Sequence, residues 1–397
     1  MIHPPGPEIE RMTPASAREL LYNEIIPIEA VNREYKLLVS VLEKAATVYE
    51  LRDCAQKGID NRQIRETVVS HLVTRVDDGV DAIGELDSQA FVAAVVEGRL
   101  KNPRSLEEYL ADRTYDIAPL PNLYFTRDSA AIVGDGAVIG GMAHEVRKNE
   151  ALLAWAALSW LTGDKSLLVL YNGAVDDDPQ ARIEGGDILV AGPRRLLVGV
   201  SERTSARGVD RLVDGILRRL GPPWEFLIVQ LPLSRATIHL DMILTLIDRG
   251  AVLVYSPLVD GSESCRAVAI TADRGKHGEV KKSFHEYGTV VEALRERFGI
   301  DEFVPCGGDR PVTAEREQWL AGTNVFALAP GQVVAVDCNA ATLESLANRG
   351  FSIIPAREFV EGDMAESRCV VTVPGTELAR GGGGVRCMTM PLRRSPV

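Results

Sequence analysis

Near the end of the 397-residue chain, Gly381-Gly382-Gly383-Gly384-Val385-Arg386-Cys387-Met388-Thr389-Met390-Pro391 presents a single cysteine behind consecutive glycines. Glycine lets the backbone take conformations that a Cβ forbids and lets it approach a ligand closely. A thiol beside backbone amides and Arg386 is placed where the thiolate, its nucleophilic form, is favoured. Upstream, Asn122, Phe125 and Asp128 lie in Pro121-Asn122-Leu123-Tyr124-Phe125-Thr126-Arg127-Asp128. Glu184 opens Glu184-Gly185-Gly186-Asp187, and His239 and Asp241 alternate in His239-Leu240-Asp241, which puts both on one face of an extended segment. Brought together, these groups describe one chemistry. Carboxylates would hold a cationic group, the thiolate would attack it, and the histidine would move protons.

Taken singly, each feature has a plainer explanation. A lone cysteine is usually a small buried hydrophobe. His-x-Asp on a strand is commonly a hydrogen-bonded structural pair. Glu184-Gly185-Gly186-Asp187 reads as a tight turn, and Cys306-Gly307-Gly308-Asp309 echoes it. The glycine run is no phosphate loop, because no Lys-Ser/Thr follows it. What unites the polar residues is position, since each falls where a hairpin begins.

The hairpins belong to a recurring unit. Ser129 to Gly141 reads as strand, turn at Gly134-Asp135-Gly136, strand; a helix at Arg147 to Leu161 and a strand at Leu167 to Tyr171 follow. Asp187 to Val200, Ala206 to Leu220 and Glu225 to Gln230 repeat the pattern, with Val209, Leu212, Val213, Ile216 and Leu220 at helical spacing. Met242 to Tyr255, Thr289 to Phe298 and Glu302 to Pro305 form a third unit. Asn324 to Val336, Thr342 to Asn348 and Phe351 to Pro355 form a fourth. At the start, a helix at Val31 to Ala46 and a strand at Thr47 to Leu51 lack a hairpin, and only Met1-Ile2-His3 remains to stand for it. A repeated unit that cannot bury its own apolar face calls for closure or stacking. The expectation is an α/β fold, a five-bladed α/β propeller with a central pocket. Residues 1–55 form an incomplete first unit, 56–115 an all-helical insertion (Ile64 to Val76, Ala90 to Val96, Leu106 to Ala111), and 116–397 the remaining units and the tail.

Composition narrows the setting. Lys+Arg 44 against Asp+Glu 56 gives a net charge of -12, which argues against a nucleic-acid or membrane partner and suits a small cation. The start carries no signal-peptide pattern, and Ala151 to Leu161 is too short to span a bilayer. Six scattered cysteines without a CxxC pair suggest a reducing compartment, the cytoplasm, and give no zinc site.

The motifs Pro121 to Asp128, Glu184 to Asp187, His239 to Asp241, Arg316-Glu317-Gln318-Trp319 and Arg386 to Leu392, in this order, resemble the arginine deiminases of the guanidino-group-modifying pentein superfamily. That resemblance implies a five-bladed propeller with a helical insertion after the first blade. It implies hydrolysis of free L-arginine to L-citrulline and ammonia, with water as co-substrate and no metal or organic cofactor. Cys387 would attack the guanidinium carbon and leave a thiouronium-type adduct. His239 would protonate the departing ammonia and then activate water, oriented by Glu184. Asp128 and Asp241 would grip the guanidinium, while Arg147, Arg203 and Asn122 would meet the other end of the substrate and Phe125 its aliphatic stem. Two departures stand out. Gly382 replaces a bulky residue, often arginine, and the chain lacks the few tens of residues that form the first hairpin, which implies reduced stability or a compensating partner. The alternatives are an amidinotransferase and a catalytically impaired arginine-binding pentein, and homo-oligomerisation is left open.

Overall fold

The structure, a computed structural model, describes residues 1–22, 24–73, 83–100, 105–110, 115–163, 167–261, 263–363 and 368–395. After a short helical turn at Pro7–Glu10 comes the helix Ile28–Ala45, whose Val31, Tyr35, Leu38 and Val41 are buried at helical spacing. The strand expected at Thr47 to Leu51 is reduced to one parallel bridge, Ile2 with Glu50, and a helix begins at Leu51. Met1 lies beside Met390: the terminal amino group donates to Met390 O at 2.7 Å, and Met390 N–H donates to Met1 O at 2.9 Å.

Helices Leu51–Ile59, Arg62–His71, Ser88–Glu97 and Leu106–Leu110 follow. Asn61 and Asp87 cap two of them, accepting from Gln63, Ile64 and Ala90 N–H groups. Residues 74–76 of the expected helix and Ala111 lie outside the described residues. The segment is not all-helical, because β1 (Arg99–Leu100) pairs antiparallel with β2 (Tyr115–Ile117). Leu51, Cys54, Phe91 and Val95 share a core with Ala151, Leu152 and Leu153 of the helix Lys148–Leu161.

From residue 130 the hairpin-helix-strand unit repeats. β3 (Ala130–Val133) and β4 (Gly136–Ile139) are antiparallel, and the helix Lys148–Leu161 returns the chain so that β5 (Val169–Asn172) runs parallel to β4. β6 (Ile188–Gly192), β7 (Arg195–Val200) and β8 (Trp224–Gln230) repeat this around the helix Ala206–Leu220. In the third unit β9 (Leu244–Asp248) and β10 (Ala251–Val254) precede an unexpected hairpin, β11 (Arg266–Arg274) and β12 (Val280–Tyr287). That hairpin joins the second unit's sheet through β8, in the order β12-β11-β8-β7-β6, while β13 (Glu302–Pro305) closes the third unit beside β10. β14 (Phe326–Ala329) and β15 (Gln332–Val336) form the fourth hairpin. Beside β15 lies β17 (Cys369–Val373) rather than the expected strand, and that expected run, β16 (Ser352–Pro355), takes the outer edge. Burial explains the order, since β17 is buried throughout whereas β16 is mostly exposed. No helix among the described residues is long and apolar enough to cross a membrane.

The helix Ala206–Leu220 shows how tightly the layers seat. Val209, Leu212, Val213 and Ile216 are buried, each stabilising the fold by about 1.5–3 kcal/mol relative to exposure. Gly215 lies so close to β5 that a Cβ there would sit 2.0 Å from Leu170 O. Gly215→Ala must therefore push helix and sheet apart. It is expected to destabilise the protein by about 1–3 kcal/mol, read by urea denaturation. An unchanged midpoint would show that this contact does not set the layer spacing.

Candidate active site

The hairpin starts are short, tightly wound turns that meet one another. The single helical turn Thr126–Ser129 carries Asp128 into β3, and the 3-10 turns Gly185–Asp187 and Leu240–Met242 lead into β6 and β9. Glu184 and His239 cap those two turns from extended backbone, which frees their side chains to point inward. Neighbouring corners are bonded. Arg127 N–H donates to Cys387 O (3.0 Å), Cys387 N–H to Asn324 Oδ1 (3.0 Å), and Thr323 Oγ1 to Asp241 O (3.1 Å). Leu240 N–H donates to Asp187 Oδ1 (2.8 Å), and Gly185 packs so closely on Arg127 that a Cβ would lie 2.1 Å from its carbonyl oxygen.

This frame gathers Asp128, Glu184, His239, Asp241 and Cys387, all buried. His239 Nε2 lies 2.8 Å from Glu184 Oε2, and its Nδ1 lies 3.7 Å from Asp128 Oδ1. Arg147 bridges the acids: Nη1 is 2.8 Å from Asp128 Oδ2 and 3.8 Å from Glu184 Oε2, and Nη2 is 2.8 Å from Glu150 Oε2. Arg203 Nη1 stands 3.8 Å from Glu184 Oε2. Across the site, Arg386 Nε donates to Asp241 Oδ2 at 3.1 Å. Each of the two aspartates expected to hold a guanidinium therefore already holds one, supplied by the protein.

Charge and burial set the protonation states. Burial would lower the His239 imidazolium, but the Asp128 charge and the hydrogen bond to Glu184 outweigh it and hold the pKa at about 9. Burial works the other way on Glu184, yet Arg203, His239 and Arg147 keep it well below the usual carboxylate range. Burial raises the Cys387 thiol well above its ordinary value, and Asp241 and Asp128 add to this. The resting cysteine is a thiol, contrary to the thiolate that its flanking residues suggest. Burial also raises Glu150 to about 7, against the pull of Arg147.

The remaining expected residues are close by but differently engaged. Asn122 donates through Nδ2 to Leu20 O at 2.8 Å, and the Phe125 ring packs against Tyr124 at a tilt, with ring centroids 4.0 Å apart. Arg147 is committed to Asp128 and Glu150 rather than free at the far end of a pocket. The glycine run is explained by the protein's own side chains: a Cβ on Gly381 would lie 1.9 Å from the Tyr124 hydroxyl, and one on Gly383 would lie 2.8 Å from the Phe125 ring. At Gly382, the departure from the resembled family noted above, no atom stands within 4 Å of an added Cβ, and the backbone takes a φ of +92° that favours glycine.

Asn324 escaped the sequence reading. Its Oδ1 accepts from both Gly384 and Cys387 N–H groups and its carbonyl from Arg386 N–H, so it fixes the cysteine loop; its Nδ2 is buried without a partner. Its place at the start of the fourth hairpin, the corner shared by the other polar residues, was the available signal. Asp128, Glu184 and His239 each offer a ligand atom within 4.8 Å of one another, a spacing a cation could use; in this arrangement Arg147 supplies the positive charge there.

The sequence model of the arginine deiminase family matches residues 18–394. Arginine deiminase of Bacillus cereus (strain B4264) is 29% identical over an alignment of 413 residues, covering 99% of this chain and 95% of that protein. Arginine deiminase of Listeria welshimeri serovar 6b is 28% identical, with the same coverage of both chains. Among solved structures, the product-bound N-terminal domain of ArgZ, a cyanobacterial arginine dihydrolase, aligns at a TM-score of 0.45 and 17% identity. The alignment covers 68% of this chain and 77% of that one. A dimethylarginine dimethylaminohydrolase adduct aligns at a TM-score of 0.42 and 17% identity, over 68% and 78% of the two chains.

Because the His239 value of about 9 lies above the ordinary 6.5, its contacts stabilise the fold fully below about pH 6.5, and the contribution fades as pH rises through about 9. An imidazole titration followed by NMR is expected to show His239 protonated at neutral pH, with a lower pKa in Glu184→Gln. An unmoved midpoint in that variant would mean that Glu184 does not hold the imidazolium.

Proposed function

Because this chain belongs to the arginine deiminase family, we propose that it hydrolyses the guanidino group of free L-arginine to L-citrulline and ammonia through a covalent intermediate on Cys387. The observation that carries this reading is the pair of buried carboxylates, Asp128 and Asp241, each already holding a guanidinium. Planar forks of donors suit paired carboxylates, and a site that accepts them from its own arginines has the shape and charge to accept one from a substrate.

The steps follow from the charges. An incoming substrate guanidinium exchanges with Arg386 at Asp241 and with Arg147 at Asp128. A cation placed beside Cys387 offsets the two carboxylates that hold its thiol protonated, so the thiol gives its proton to solvent water as substrate binds. The thiolate forms a bond to the guanidinium carbon. One C–N bond breaks, and His239, a proton donor at neutral pH, gives its proton to the departing nitrogen, which leaves as ammonia. The neutral imidazole then takes a proton from water, whose oxygen attacks the same carbon. Cleavage of the C–S bond expels Cys387 as the thiolate, which takes the proton of the newly added hydroxyl to return to the resting thiol, and leaves the ureido group of citrulline. Glu184 holds the imidazole ring in place throughout, and Asn324 holds the cysteine loop. Arg203, Asn122 and Phe125 line the approach for the rest of the substrate.

The repeated units and their bonded corners support a ring of five blades, with Met390, Met1–Ile2 and Glu50 as the remnant of the first. The helices between Leu51 and Leu110 form an insertion after that remnant. All six cysteines are free, which supports a reducing, cytoplasmic setting.

Citrulline and ammonia should appear in equal amounts from L-arginine, and Cys387→Ala should cut turnover by roughly 10⁴-fold or more. Agmatine, which lacks the carboxylate, should not turn over. A guanidino product formed on adding glycine would move the reading to amidinotransfer, and a folded chain that binds arginine without turnover would make it a binding protein.

A further inference from the structure

β12 forms one end of the five-stranded sheet, and its outer edge meets no other strand among the described residues. It is eight residues long, and those from 280 to 286 are exposed or half-buried. The turn that precedes it fixes which backbone groups face outward. Gly275 N–H donates to Glu279 O (2.7 Å) and Gly278 N–H to Gly275 O (3.1 Å), so the 275/279 pair closes the ladder at the turn. Antiparallel pairs alternate between bonded and non-bonded. Lys281, Ser283, His285 and Tyr287 therefore bond to β11, opposite Asp273, Thr271, Ala269 and Ala267. The N–H and C=O groups of Val280, Lys282, Phe284 and Glu286 point away from the sheet. The same four residues share one face, on which Phe284 is 66% exposed.

We infer that this edge pairs antiparallel with β12 of a second copy of the chain, about a two-fold axis through Phe284. In that register Phe284 faces its counterpart, Lys282 faces Glu286 of the second copy, and Glu286 faces Lys282 of the second copy. The outward backbone groups of all three residues find partners. Sliding the pairing by one residue sets outward groups against inward ones, and sliding it by two leaves both charges opposite uncharged residues. Lysine on an edge ordinarily discourages pairing. Here the sequence Lys282-x-Phe284-x-Glu286 is self-complementary under a two-fold axis, so its charges select one register. Within one chain Lys282 contacts Asp214 and Glu286 contacts Arg266, exposed pairs that contribute little and leave room for a second partner. A contact centred on one strand is small beside a standard interface, so association depends on concentration.

Sedimentation velocity of the full chain, from roughly 1 to 100 μM, reads this directly. Wild type is expected to move from the 43.2 kDa monomer toward twice that mass. Lys282→Glu, which opposes two glutamates, is expected to weaken the dimer at least tenfold, about 1.4 kcal/mol. The double variant Lys282→Glu/Glu286→Lys is expected to restore it, with circular dichroism confirming that all three fold. A chain monomeric throughout the range, a dimer indifferent to Lys282→Glu, or a double variant no better than the single one would each overturn the inference.

Discussion

Carboxylates, an imidazole and a thiol cannot share a dry space unless positive charge is buried with them. Asp128, Glu150, Glu184 and Asp241 are each nearly inaccessible, and an isolated buried carboxylate costs several kcal/mol. Arg147, Arg203, Arg386 and the His239 imidazolium stand against them. This balance is the constraint on which the site depends. Removing one member of such a buried set leaves its partner uncompensated, typically at about 3–5 kcal/mol. A cationic substrate can enter by replacing a cation already there, so the charge of the site is kept while its contents change.

The fold exists to hold that balance in place. Asp128, Glu184, His239 and Asp241 come from corners where a hairpin starts and Arg386 from the final turn of the chain, while Arg147 and Glu150 stand at the start of the helix Lys148–Leu161 and Arg203 just after β7; hydrogen bonds tie one corner to the next. Asp187 fixes Leu240, Asn324 fixes Gly384 and Cys387, and Arg127 meets Cys387. The glycines before Cys387 let the tail pass within contact of Tyr124 and Phe125, so the nucleophile is set by packing against the first corner. Burying several charges at one point therefore requires parts of the chain hundreds of residues apart to arrive together.

Much of this was legible in the sequence. Turn glycines between apolar runs marked the hairpins, and Val209, Leu212, Val213 and Ile216 marked a helix face that is buried as expected. The polar residues stood out because each interrupted the same point of a repeat. What could not be read were pairings between distant charges. Nothing local joins Arg386 to Asp241, 145 positions apart, or Arg147 to Asp128, 19 positions apart. β12 was missed because its residues show no alternation of apolar and polar types, which is what an open sheet edge looks like in sequence. β17 was missed and the run at Phe351 to Pro355 was placed beside β15 instead, because both runs are apolar enough for a strand and only packing decides which is inside.

The account rests on a bond between Cys387 and the substrate carbon. Acid quenching of the enzyme during turnover of L-arginine, followed by peptide mass spectrometry, tests it most directly. A mass increase of arginine less ammonia on the peptide that contains Cys387, absent from Cys387→Ala, is the expected result. Sustained citrulline formation with no adduct on that peptide, or undiminished turnover by Cys387→Ala, would contradict it.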